Sequence, residues 1–176
     1  MIEIMLEHFT KLHPTSRKFD QGEYLFHLGD RVKSIFIITQ GLAQLIRHHE
    51  NGNAVILQRA GPKSILAEAS LFTSLYHCDA IAMSRLEVMF ISRTAVQELF
   101  YDDSDFAKAW TIHLGKEVRS ARLRAEILSL KTVTQKLDAW LADRGALPER
   151  GRWKMVAEDI CVSPEALYRE IARRGS

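Results

Sequence analysis

The chain has 176 residues, 47% of them apolar and 26% charged, and a net charge of +2. This excludes a disordered chain and allows a hydrophobic core for one domain plus a smaller one, while so small a charge does not by itself argue for nucleic acid. No apolar run is long enough to span a bilayer, the start MIEIMLEHFTKLHP lacks the features of a signal peptide, and only Cys78 and Cys161 are present, so a cytoplasmic protein with reduced thiols and no membrane partner is expected.

Residues 19–92 read as strands. YLFHLGD alternates and stops at a Gly-Asp turn, and SIFIITQG is a β-branched run ended by Gly41. In LAQLIRHHENGNAVILQRAG two strand-like runs flank Asn51-Gly52, a dipeptide that takes the positive φ angles of a tight hairpin. EVMFIS supplies a late strand. Short strands separated by glycine turns predict an antiparallel barrel or sandwich. Residues 94–142 change to helical spacing. Phe106, Trp110, Leu114, Val118, Ala121, Ala125 and Leu128 draw one stripe down a long helix, with Ile112, Leu123, Ile127 and Leu130 beside it. Either one stripe packs on the β domain and the other meets the same helix of a second subunit, or a single wide stripe faces the chain's own core. DRGALPERGR (143–152) is a loop or linker.

The last segment, WKMVAEDICVSPEALYREIARR, breaks into two short helices. Ser163 can cap the second, Pro164 fits its first turn, and Glu165 lies favourably at the positive end of its dipole. Leu167 and Ile171 point inward; Glu165, Tyr168, Arg169, Ala172 and Arg173 point outward. This describes a helix-turn-helix whose second helix enters the major groove. Arg169 can fork onto a guanine edge and Glu165 can accept from cytosine N4, while Lys154, Arg173 and Arg174 hold phosphates and Ser163 and Tyr168 complete the DNA-facing set. The competing reading is a small helical hairpin packed on the body, since four basic residues from Trp153 onward are balanced by four acidic ones.

EASLFTSLYHCDAIA (68–82) crowds Glu68, Ser70, His77, Cys78 and Asp79 into one stretch. A nucleophilic enzyme is disfavoured, because adjacent residues of a strand diverge and a triad converges from distant parts of a fold. Thiolate and imidazole suit zinc, copper or haem iron, which makes His77 and Cys78 metal candidates with His27, His48, His49 and His113 as further ligands, although no CxxC or HxxxH spacing occurs. Cys78 beside a histidine could also be a redox thiol, or an inert buried one. The remaining alternative is a pocket for a small organic effector.

The order of these parts resembles the Crp/Fnr family of bacterial transcription regulators over nearly the whole chain. GEYLFHLGD…SIFIITQGLAQLI resembles the opening strands of the family's cyclic-nucleotide-binding roll, ILAEASLF its phosphate-binding cassette, the long helix its dimerisation helix, and VSPEALYREIARR its recognition helix. The resemblance implies an α+β fold: an N-terminal antiparallel β-roll with short flanking helices (1–104), a long dimerisation helix (105–131) and a C-terminal helix-turn-helix (132–176) lacking an obvious wing. It implies a homodimer that is not an enzyme, reads a near-palindromic operator with half-sites about 34 Å apart, contacts RNA polymerase, and switches at a hinge near Lys131 and Thr132. Ser120 is expected near where relatives contact the nucleotide base, and Glu68 matches the ribose-binding carboxylate. Two departures qualify the match. Members that bind cyclic AMP carry Arg-Ser where this chain has Cys78-Asp79, and glycine where it has Ala67. A cyclic phosphate needs a guanidinium fork, so no cyclic AMP is expected and the effector is another small molecule. Some relatives use haem, which keeps a metal-, haem- or thiol-responsive regulator as an alternative. The chain ends at RRGS without the usual β wing, which leaves weaker DNA binding, a marginal subdomain or a shortened chain open, and with them a ligand-binding regulator that signals through protein contacts.

Overall fold

The computed structural model describes residues 2–48 and 54–175. The expected Asn51-Gly52 turn and His49 lie outside the described residues. The chain divides into two compact units, Met1–Leu114 and Gly115–Ser176.

The first unit opens with helix α1 (Ile2–Thr10) and continues through eight strands: β1 (Thr15–Phe19), β2 (Tyr24–Phe26), β3 (Ser34–Gln40), β4 (Ala43–His48), β5 (Ala54–Ala60), β6 (Ile65–Leu66), β7 (Asp79–Ala82) and β8 (Leu86–Ser92). They form two antiparallel four-stranded sheets with orders β1-β8-β3-β6 and β2-β7-β4-β5, the two-sheet roll that the short strands predict. The β-branched run of β3 buries Ile35, Phe36, Ile37 and Ile38 in succession, so both faces of this central strand are covered. Gly41 ends it at φ 87°, where a side chain would run into the backbone of Arg85 and Leu86, so only glycine fits. Phe26 of β2 stacks on Phe36 of β3 at 5.3 Å between ring centroids, tying one sheet to the other.

Helices α2 (Arg93–Asp102) and α3 (Ser104–Ser129) follow. Phe106 and Trp110 of α3 pack edge-on against Phe9 of α1, so the first turns of the long helix belong to the core of the roll. Leu114 is the last residue of its apolar stripe to pack there.

The second unit contains the rest of α3, then α4 (Val133–Arg144), α5 (Trp153–Asp159) and α6 (Pro164–Arg174). Thr132 and Gln135 close a reciprocal capping box at the start of α4. A small core forms around Ile127, Leu137, Trp140, Val156, Ile160 and Leu167. It draws on the second α3 stripe, through Leu123 and Ile127, whereas Val118, Ala121, Ala125 and Leu128 of the first stripe are exposed. No helix among the described residues is long and apolar enough to cross a membrane.

Candidate effector cassette and helix-pair surface

The cassette begins where Ala67 turns left-handed, at φ 65°. Glycine adopts that conformation without steric cost, which explains the resemblance to a Gly-Glu motif at this point. A short 3-10 turn (Glu68–Ser70) follows, with Glu68 and Ser70 both buried. Its far end is tied to α2: the Leu71 carbonyl accepts from Arg93 Nε and from Gln97 Nε2, each at 2.8 Å.

Glu68, Ser70, His77, Cys78 and Asp79 all lie in this one region of the roll, but they do not converge as equals. Ser70 Oγ and His77 Nδ1 are 3.2 Å apart. His77 is exposed whereas Cys78 is buried, and both lie in a bend before β7 rather than within a strand as the sequence predicts. Burial, and then the nearby Arg47 guanidinium, lower the His77 pKa. Burial raises the Cys78 thiol to about 11, with Arg47 opposing and Asp79 and Glu68 reinforcing the shift. A thiol of this kind is protonated at neutral pH, which argues for the inert reading over the redox one. The Asp79 carboxylate is engaged by the neighbouring turn: its Oδ1 accepts the Leu28 N–H at 2.9 Å and lies 3.4 Å from His27 Nδ1. Among the described residues no group of three or more His, Cys, Asp or Glu side chains comes together to hold a metal ion. Among the described residues the candidate ligands His27, His48 and His113 therefore do not join His77 and Cys78 in such a group.

Nothing in the sequence singles out Arg47. Pairing of β4 with β7 sets Ile46 opposite Asp79, so Arg47 falls beside the end of the cassette. Its guanidinium Nη2 donates to the His77 carbonyl at 2.6 Å. The cassette therefore has a cation nearby, supplied by another strand, but turned onto the backbone. Ser120 lies in the second unit, exposed on α3 beside Arg119 and Leu123.

In the second unit, α5 and α6 are joined by a short turn in which Cys161 takes a left-handed φ of 49°. Ser163 Oγ accepts the Ala166 N–H at 3.2 Å and Pro164 occupies the first turn, as the capping chemistry predicts. Leu167 is buried, while Glu165, Tyr168 and Arg169 are exposed on α6 and Lys154 on α5. The backbone N–H of Glu165 itself, and then Ser163, hold the Glu165 carboxyl below its ordinary value. Tyr168 leans on Trp153, with ring centroids 5.7 Å apart.

The terminal arginines are less free than expected. Glu170 is buried and accepts from Arg173 (3.0 and 2.8 Å) and from Arg174 Nε (2.8 Å), which hold its pKa at about 2. Arg174 also pairs with Asp138 of α4 at 2.7 Å and donates to the Thr134 carbonyl at 3.2 Å. Arg174 is thus committed to joining α6 to α4, and Arg173, held on Glu170, also reaches α4 through Nη2, 3.4 Å from Thr134 Oγ1. Glu170 is the residue that reading apolar periodicity passed over; the signal was its i+3, i+4 spacing to two arginines.

A two-sheet antiparallel roll with a buried Glu on a short helical turn, followed by a long helix, defines an effector-binding domain of the cyclic-nucleotide type. The sequence agrees: residues 16–103 match the cyclic nucleotide-binding domain, and the chain belongs to that family. No curated protein sequence matches the chain. Among solved structures it resembles the c-di-GMP-responsive global regulator CLP of Xanthomonas campestris (19% identity, 98% of this chain and 91% of that one, TM-score 0.71). It also resembles FixK2 of Bradyrhizobium japonicum (15%, 91% and 83%, TM-score 0.73). A third is a CRP-family transcriptional regulator of Thermus thermophilus, TTHB099 (16%, 90% and 85%, TM-score 0.64). At these identities the likeness establishes the fold. The neighbours are transcription regulators of the CRP/FNR type rather than enzymes.

Proposed function

We propose that this chain is a homodimeric, DNA-binding transcription regulator of the CRP/FNR type, with a sensor roll (1–104), a dimer helix (105–131) and a helix-turn-helix reading head (132–176). The observation that carries this reading is the α5–α6 pair: Leu167 anchors a well-capped helix that presents Glu165, Tyr168 and Arg169 to solvent. Arg169 has the fork geometry for a guanine edge and Glu165 accepts from cytosine. Lys154, exposed on α5, takes a phosphate, and Arg173 adds only the N–H groups that Glu170 and Thr134 leave open. The exposed stripe Val118, Ala121, Ala125 and Leu128 supports the dimer, because its two alanines let a second copy of the helix approach closely.

The effector is a small molecule other than cyclic AMP. Where an anion would need the cassette's arginine there is a neutral thiol, next to an Asp79 carboxylate held by the Leu28 N–H. Arg47 spends its guanidinium on the His77 carbonyl.

Gel shifts with the DNA flanking the chain's own gene test the reading. Specific affinity should rise as salt falls, linearly in log K against log salt. Arg169→Ala should cost roughly 1–3 kcal/mol of base discrimination while leaving non-specific binding intact. Val118→Glu with Leu128→Glu should convert a dimer to a monomer in sedimentation. Wild-type discrimination in Arg169→Ala, or a strictly monomeric parent protein, removes the proposal. Tight stoichiometric uptake of cyclic AMP removes its effector half.

A further inference from the structure

The roll contains a cavity that the effector reading does not use. It is half-open to solvent and about 500 Å³ in volume, within the range of small-molecule sites. Its floor is aromatic. Phe26 stacks on Tyr76 with centroids 3.9 Å apart and on Phe36 at 5.3 Å, and Phe36 meets Phe90 edge-on at 4.8 Å. The Tyr76 hydroxyl donates to the Ser34 carbonyl at 2.9 Å, which fixes the ring plane. The rim carries Asp30, Arg31 and Lys33. The Asp30 carboxylate accepts the His27 N–H at 3.0 Å, so part of its charge is used by the turn. Arg31 and Lys33 are both exposed, and the rim is left net positive above a ring-lined slot.

We propose that this cavity binds a small planar anion: an aromatic ring bearing a carboxylate, with the ring on the Phe26–Tyr76–Phe36–Phe90 floor and the carboxylate between Arg31 and Lys33. The rings pack on one another, so a ligand meets their open edges, chiefly at Phe90, which favours a flat apolar body, and a guanidinium beside an ammonium selects a carboxylate. The site is separate from the Glu68–His77–Cys78 group, and its occupancy does not depend on DNA binding. It is nonetheless joined to the cassette. The Tyr76 N–H donates to the Asp30 carbonyl and the Gly29 N–H to the Tyr76 carbonyl, both at 2.9 Å, and Arg31 bridges to Leu75. Tyr76 directly precedes His77, so an occupant touching that ring acts on the segment 77–79 that leads into β7.

Calorimetric titration of the full chain with 2-naphthoate, and with its uncharged counterpart 2-naphthylmethanol, tests this. One naphthoate should bind per chain, with the alcohol at least tenfold weaker. Arg31→Gln with Lys33→Gln should weaken naphthoate at least tenfold. Arg85→Gln, which removes an exposed cation in the turn before β8, should leave it unchanged. The changed side chains are exposed, and circular dichroism verifies that each variant is folded. Absence of saturable naphthoate binding, equal affinity for the alcohol, indifference to the rim double variant, or an equal loss in Arg85→Gln each overturns the proposal.

Discussion

Leu167→Ala tests whether the reading head has a stability of its own. The side chain is fully buried in the small core with Val156, Ile160 and Trp140. Removing a buried leucine down to its Cβ costs about 2–5 kcal/mol, the upper values where the surroundings cannot collapse. The unit around it, Gly115–Ser176, has about 60 residues. At roughly 0.05–0.15 kcal/mol per residue its whole stability is ~3–9 kcal/mol. One substitution is therefore comparable with the entire margin. The three tryptophans provide the assay, because Trp110 sits in the core of the roll and Trp140 and Trp153 in the second unit. With 5-fluorotryptophan incorporated, each gives its own fluorine resonance during urea unfolding. Leu167→Ala should move the Trp140 and Trp153 transitions to much lower urea and leave the Trp110 midpoint in place. If all three midpoints fall together, or none moves, the independence of the small core is refuted.

Glu170 is held ionised at about 2 against an ordinary 4.5, first by Arg173 and then by Arg174. Its folded pKa is depressed, so the stability it contributes is complete above about 4.5 and is lost as the pH falls to about 2. Urea midpoints of Glu170→Gln and wild type should differ at pH 6 and converge near pH 2; a constant gap argues against it. Titration of the native protein with a disulfide reagent at pH 8 should find one fast thiol, the exposed Cys161, and a second only on unfolding, because Cys78 is buried and raised to about 11. Two fast thiols would reinstate the redox reading. Asp79→Ala leaves the Leu28 N–H without its acceptor and should cost about 1–3 kcal/mol in the roll's unfolding, with Asp79→Asn recovering much of it. Equal losses in the two variants would mean that charge, not the hydrogen bond, is what matters.

The roll was legible in the sequence because its longer strands carry their own signals, such as the β-branched run of β3 and the glycine that must follow it. The two-residue β6 has no periodicity to read, and β7 begins inside the His-Cys-Asp stretch, where chemistry drew attention away from pairing. The capping of α6 by Ser163 was equally legible, since it depends only on neighbours in sequence. What could not be read was register. Arg47 reaches the cassette only because β4 and β7 pair with Ile46 opposite Asp79, a relation between residues 33 apart. Asp79 appeared as a wall of a pocket; only the fold reveals that it also closes the turn at Leu28. Glu170 was hidden for a related reason: a buried carboxylate on an amphipathic helix is unexpected until its two arginines are seen to wrap it.

The bond from Leu28 to Asp79 bears on any attempt to redesign ligand preference. Grafting Arg-Ser onto positions 78 and 79 would replace the carboxylate that accepts the Leu28 N–H by a shorter hydroxyl and force a guanidinium into a space now filled by a cysteine that is 1% exposed. A two-residue exchange would therefore loosen the hold on the Leu28 amide as it introduced the guanidinium, and a successful conversion has to keep an acceptor within reach of that amide.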